Sequence, residues 1–135
     1  MQTFLPYPDF DDCARVLDPK RLGNQFYREG LTLLRGKWSN HPASRMWYPT
    51  HCWALGKYLL ACANELERRG YHYPKHVAEV QMRMSDADDN MEMPPWLGDP
   101  ELHASHRANL LRKDPVHYGQ FGWTEEPQEG YIWPV

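Results

Sequence analysis

Between positions 20 and 29 the chain brings together Lys20, Arg21, Asn24, Gln25, Arg28 and Glu29. One carboxylate among several cations stays ionised, so it can move a proton or stabilise a developing positive charge. The guanidinium groups suit phosphate, whose oxygens a planar fork grips through two N–H donors. A solvated helix face laced with ion pairs has the same residue types, and both readings stay open at this level. The run Asn40-His41-Pro42-Ala43-Ser44-Arg45-Met46-Trp47 sets a turn, an imidazole, a guanidinium and an indole in one short stretch. There Trp47 could stack on a base and Arg45 could hold a phosphate. Alternatively Asn40 caps a short helix, His41 bonds locally and Trp47 belongs to the core.

A third group, His103, His106, Arg107, Arg112 and Lys113, follows the Pro94–Gly98 stretch that carries Trp96. An HxxH pair on a helix can chelate a metal, but no third ligand is evident and the HExxH pattern is missing, so no metal site is expected. The imidazoles read as structural or phosphate-contacting. Arg112 and Lys113 also suit the negative end of a helix dipole. There is no Gly-rich phosphate loop, nucleophile elbow or dinucleotide fingerprint.

The elements that must position these groups are helical. Asp9 or Asp11 caps a short helix through Leu17. Asp18-Pro19 reads as an N-cap and a first-turn proline. They open a helix over 19–35 with Leu22, Phe26, Tyr27, Leu33 and Leu34 inward, and Gly36 ends it. Lys20, Arg21, Asn24, Arg28 and Glu29 take the other face. Residues 37–49 form a loop or short helix. A helix over 49–69 follows from the spacing of Trp53, Leu55, Tyr58, Leu59, Cys62 and Leu66. A shorter one covers 75–85, with Val77, Val80 and Met84 inward, and 86–93 is an acidic loop. Asp99-Pro100 starts a helix over 100–113, and Asp114-Pro115 stops it. The tail 116–135 is aromatic coil. The prediction is an all-α single domain over 1–135, with an extended N-terminus.

With 135 residues, 41% of them hydrophobic, the chain can bury a core without staples. No stretch reaches the roughly 20 apolar residues of a membrane span. The first twelve residues lack the basic and apolar regions of a signal peptide. Cys13, Cys52 and Cys62 are an odd number at unpatterned spacing, which fits a reducing compartment. The expectation is therefore a cytoplasmic protein with no membrane partner. A formal charge of −3 counts mildly against nucleic acid, but residues 13–57 hold eight Lys/Arg against two acids. A basic segment inside an acidic protein can still present a phosphate-facing surface.

The order of these features resembles the pyrimidine-dimer DNA glycosylases of the phage endonuclease V type. The resemblance rests on the Leu-rich helix with Arg28-Glu29, on Asn40-His41-Pro42, on the helix ending Arg68-Arg69-Gly70-Tyr71, on His103-Ala104-Ser105-His106, and on Pro115-Val116-His117-Tyr118-Gly119. It implies an all-helical domain that flips a nucleotide out of DNA. It further implies attack on C1′ of the damaged nucleotide by the N-terminal amine, a Schiff base, and strand cleavage by β-elimination, with no metal or organic cofactor. The essential glutamate of the family corresponds to Glu29 and its neighbouring arginine to Arg28. An α-amine has a reference pKa near about 8 and a lysine near about 10.4, so the terminus offers roughly a hundredfold more neutral nucleophile at neutral pH. The family exposes a small residue by removing the initiator. Here Gln2 is bulky, so Met1 is expected to stay and to supply the amine. Where the family carries another arginine one turn past its glutamate, this chain has Leu31, Thr32 and Leu33.

The implied catalytic set is Met1, Gln2 and Glu29. Lys20, Arg21, Asn24, Gln25, Arg28, His41, Arg45, His103, His106, Arg107, Arg112 and Lys113 are expected against DNA, and Trp47 or Trp96 as a wedge or stacking group. The implied partner is double-stranded DNA with a lesion or modified base, bound by a monomer. Two other readings are a non-catalytic binder of distorted DNA and an enzyme on free nucleotides or other N-glycosides.

Overall fold

The computed structural model describes residues 1–87 and 91–134. Among them the chain is helical with no strand, an all-α architecture as predicted. The expected loop over 86–93 falls partly on residues 88–90, outside the described ones; Asp86 ends a helix, and Ala87 and 91–93 are coil.

Helix α1 (Phe10–Val16) is capped by Asp9, whose carboxylate accepts from the Asp12 N–H. Helix α2 (Pro19–Gly23) starts where Asp18 caps and Pro19 presets φ, as the sequence predicts. The rod then departs from the uniform helix expected over 19–35. Asn24–Gly30 is a π-helix, and α3 (Leu31–Leu34) resumes the α register. Gly30 explains why this register can form here. A Cβ at Gly30 would lie 2.1 Å from the Gln25 carbonyl oxygen and 2.2 Å from Leu59 Cδ2. Only a residue without a side chain lets the wide turn close and the rod press against its neighbour. The register also corrects an inward assignment: Tyr27 is 37% exposed, while Leu22, Phe26, Leu31, Leu33 and Leu34 are buried.

Helix α4 (Pro42–Arg45) is the short helix foreseen as one option for 37–49. Helix α5 (Cys52–Arg68) is the central element, packed against α1, α2, the π-helix and α3. Its Leu55, Tyr58, Leu59 and Cys62 are fully buried. Each large apolar side chain removed from water contributes on the order of 1.5–3 kcal/mol. Helix α6 (Pro74–Asp86) lies against α5 at Gly56, where a Cβ would strike Met84 Cγ at 2.2 Å. The Arg35 guanidinium grips Glu79 with two bonds of 2.7 Å, tying the end of the rod to α6. Helix α7 (Pro100–Lys113), capped by Asp99, has the predicted bounds.

The tail is less irregular than the expected coil. Asp114 caps a further turn, α8 (Pro115–Tyr118), which a 3₁₀ turn (Gly119–Phe121) extends. Tyr118, Phe121 and Trp123 then stack on one another and on Tyr7. No helix among the described residues is long and apolar enough to cross a membrane. Three free cysteines are present, with Cys13 and Cys62 buried.

Candidate active site where the N-terminal segment meets the π-helix

Residues 2–6 are extended and buried, without a strand partner. Their backbone groups must find other partners, because an unpaired buried N–H or C=O costs on the order of 1–3 kcal/mol. Side chains from several helices supply them. The Phe4 N–H donates to Gln25 Oε1 at 2.8 Å. The Leu5 N–H donates to His106 Nδ1 at 2.9 Å, and the Leu5 carbonyl lies 2.7 Å from His103 Nδ1. His103 Nε2 accepts from the Gly98 N–H, so its proton sits on Nδ1 and Nδ1 donates to Leu5. The Trp47 indole N–H donates to Thr3 Oγ1, and Arg107 donates to the Pro6 carbonyl. The Tyr58 hydroxyl lies 2.9 Å from the Phe4 carbonyl and 2.6 Å from Gln25 Oε1.

Gln25 completes the arrangement. Its Nε2 donates to the Gln2 carbonyl at 2.7 Å and to Glu29 Oε2 at 3.3 Å. One amide nitrogen thus lies between the backbone of the second residue and the carboxylate at position 29. Gln25 and Glu29 are four residues apart in the π-helix, and their side chains meet there. Gln2 is buried as well. Its Oε1 accepts from the Thr3 N–H, while its Nε2 has no partner among the described residues.

Positive groups converge on Glu29 from other elements. Arg21 of α2, Arg112 and Lys113 at the end of α7, and Tyr131 of the tail share one electrostatic neighbourhood with it. Burial, reinforced by Arg112 and Arg21, holds the Lys113 ammonium below the ordinary lysine pKa. Burial pushes the Tyr131 hydroxyl up to about 12, so it is a proton donor at neutral pH. Arg21 is braced by Asp18 at 3.1 Å, and Asp18 in turn accepts a short hydrogen bond from the Tyr118 hydroxyl. Lys113 forms no ion pair among the described residues, and Arg112 only a long one, 3.6 Å, to the exposed Glu129.

Several residues expected against DNA serve the interior instead. Trp47 is fully buried between Phe10, Tyr58 and Trp96, so it cannot stack on a base; its core reading is the correct one. Gln25 is 1% exposed and spends its amide on the contacts above. His103 and His106 are buried, and their rings hold the Leu5 peptide. Burial drives both imidazoles toward the neutral form, His106 to about 3, which is the state their acceptor roles require. Arg107 is committed to Glu125 with two bonds of 3.0 Å and to Pro6. Trp96 is half-buried, donates to the Met46 carbonyl and meets Trp47 edge-on, so it is part of the packing. His41, rather than Asn40, caps α4, accepting from the Ala43 N–H at 3.0 Å, and it meets Trp133 edge-on.

Lys20, Arg28 and Arg45 are exposed and enter no ion pair among the described residues, and Asn24 is half-buried. Met1 is half-buried and packs on the core beside Gln2. No group of three His, Cys, Asp or Glu among the described residues could hold a metal. Tyr58, Tyr118 and Tyr131 are not among the site residues expected from the sequence. Tyrosines that close polar networks carry no spacing signal, although Tyr118 lies in the Pro-x-x-Tyr-Gly motif.

A glutamate in a cationic setting, tied through one amide to the start of the chain, defines a helical protein built around its own N-terminus. The family model for the pyrimidine dimer DNA glycosylase matches residues 1–78, and the chain belongs to that family. Neither a curated protein nor a solved structure matches it. The matched stretch contains Gln2, Gln25, Arg28 and Glu29, while Arg112, Lys113 and Tyr131 lie beyond it.

Proposed function

We propose that the protein is a DNA glycosylase with an associated lyase step, acting on a damaged or modified pyrimidine in double-stranded DNA. The reading rests above all on the Gln25 Nε2 group, which bonds both the Gln2 carbonyl and Glu29. An amine at residue 1 is one peptide unit from that contact.

The lone pair of the Met1 amine attacks C1′ as the C1′–N bond to the base breaks, and the base leaves with a proton. The new ammonium gives up one proton, and the freed nitrogen lone pair expels O4′ from C1′ as O4′ takes up a proton to become a hydroxyl, leaving an iminium ion. Glu29 stabilises this cation and takes the proton from C2′. The electron pair then expels the 3′ phosphate, cutting the strand. A positioned carboxylate of this kind typically contributes about 10²–10⁴ in rate. Arg21, Arg112, Lys113, Arg28 and Lys20 hold phosphates flanking the extruded nucleotide, whose unstacking costs a few kcal/mol, least at a damaged pair. Met1 and Glu29 carry the chemistry; Gln2 enters through its carbonyl.

Borohydride reduction of a mixture with abasic-site DNA gives a covalent adduct if the amine forms an imine, and peptide mapping places the adduct on the first residue. Ultraviolet-irradiated DNA releases the damaged base in the same preparation. Absence of both adduct and base release removes the enzymatic reading. Salt-sensitive DNA binding that persists without turnover would identify a binder of distorted DNA instead.

A further inference from the structure

We infer that Gln25 is a positioning residue, whose side-chain amide fixes the Glu29 carboxylate against the first residues of the chain so that carboxylate and amine reach one sugar. The inference deepens the proposed reaction and rests on it. Gln25 is not where a DNA contact can form, since only 1% of it is exposed. Both halves of its amide are used. Oε1 takes the Phe4 N–H at 2.8 Å and faces the Tyr58 hydroxyl at 2.6 Å. The two Nε2 protons go to the Gln2 carbonyl and to Glu29. The donor at Phe4 and the acceptor at Gln2 dictate which end of the amide is oxygen, so the nitrogen must face Glu29.

The side chain therefore does what a neighbouring strand would do for residues 2–4, and passes that placement to the carboxylate. Gly30 holds the wide turn in which Gln25 and Glu29 stand together. Catalytic geometry of this kind is sensitive to shifts of about 1 Å.

Gln25 bonds Glu29 within the π-helix, and Lys113 from α7 and Tyr131 from the tail lie within its electrostatic reach, as they do of Arg21 and Arg112; the Met1 amine lies one residue beyond the Gln2 contact. Gln25→Glu keeps the size and Oε1 but replaces the donor by a carboxylate oxygen beside Glu29. Two carboxylates in contact push one pKa up. Gln25→Met keeps the length and removes both polar ends.

The test measures single-turnover borohydride trapping on abasic-site DNA from pH 5 to 9 for the wild type and both variants, with DNA affinity and thermal melting alongside. Expected is a loss of about 10- to 100-fold in trapping rate with affinity within about threefold, and in Gln25→Glu an acidic limb displaced upward by about one pH unit. Folded variants that trap at the wild-type rate with an unmoved profile overturn the positioning role and leave the proposed reaction standing. A wild type that traps nothing defeats the proposed reaction and this role together. If both variants fail to fold, the wild type decides: the Gln25 side-chain amide protons, followed by NMR, titrate with the acidic limb of the trapping profile. An amide resonance that ignores that transition overturns the inference.

Discussion

The middle and the end of α7 serve one site by opposite means. In the middle, His103 and His106 are buried and neutral, and both bond a single peptide at Leu5. At the end, Arg112 and Lys113 are charged and exposed, with no strong internal partner. The first pair holds the protein's own backbone, and the second is proposed to meet the phosphates of DNA. Burial favours partners from within, as both Nδ1 atoms find at Leu5 although His106 Nε2 has none among the described residues, while exposed cations gain little from surface pairing and stay available. Histidine and arginine within ten residues of one helix thus belong to different tasks, and burial rather than residue type tells them apart.

The largest effect that would sharpen this division comes from outside α7. Glu29→Gln is expected to lower single-turnover strand cleavage by at least about 100-fold while DNA affinity stays within a few-fold, measured by gel-resolved cleavage and by anisotropy. Equal losses in both would mean that the carboxylate is part of the binding surface. Next, Gly30→Ala drives a Cβ into the Gln25 carbonyl and Leu59, so it should destabilise by about 3 kcal/mol or fail to fold, read by urea titration.

Third, His106 gives the buried half of the comparison a pH signature. Its folded pKa of about 3 lies below the ordinary imidazole value of 6.5. The unfolded chain therefore takes up the proton first. The stability this group supplies is complete above about pH 6.5 and falls as the pH drops from there toward about 3, by up to about 1.4 kcal/mol per pH unit. His106→Gln, which keeps an acceptor, should flatten that slope in melts between pH 7 and pH 5. An unchanged slope would show that the ring does not carry it. Smallest, Arg112→Ala and Lys113→Ala should leave the melting temperature unchanged and each lower the salt dependence of DNA binding by about one counterion. A large loss of stability in either variant would erase the distinction between the two ends of the helix.

What could be read in the sequence was local. Asp18-Pro19 and Asp99-Pro100 mark helix starts because a carboxylate cap and a preset φ act over three residues; Asp114-Pro115 reads as the stop of α7, and that it also opens α8 was not legible. The bounds of α7 followed from them. Arg28-Glu29 stood out as a carboxylate in a basic run and through the family resemblance. What was hidden depends on contacts across the fold. Gly30 looked like any helical glycine until Leu59 stood against it. The spacing of His103 and His106 suits a metal, a phosphate or a peptide equally, and only the path of Leu5 decides. Trp47 offered two readings, because an indole suits a core as well as a base. Gln25 reads as a surface contact in a row of polar residues. Only the path of the N-terminal segment, which no side-chain periodicity shows, reveals that its amide is spent inside.

That wide-turned segment makes the winding of the chain between Asn24 and Gly30 a fixed quantity. Wound as an ordinary α-helix, the same residues would turn everything before them by roughly 100° relative to everything after them. Arg21 would then swing away from Lys113 and Tyr131, the groups it and the carboxylate both act on.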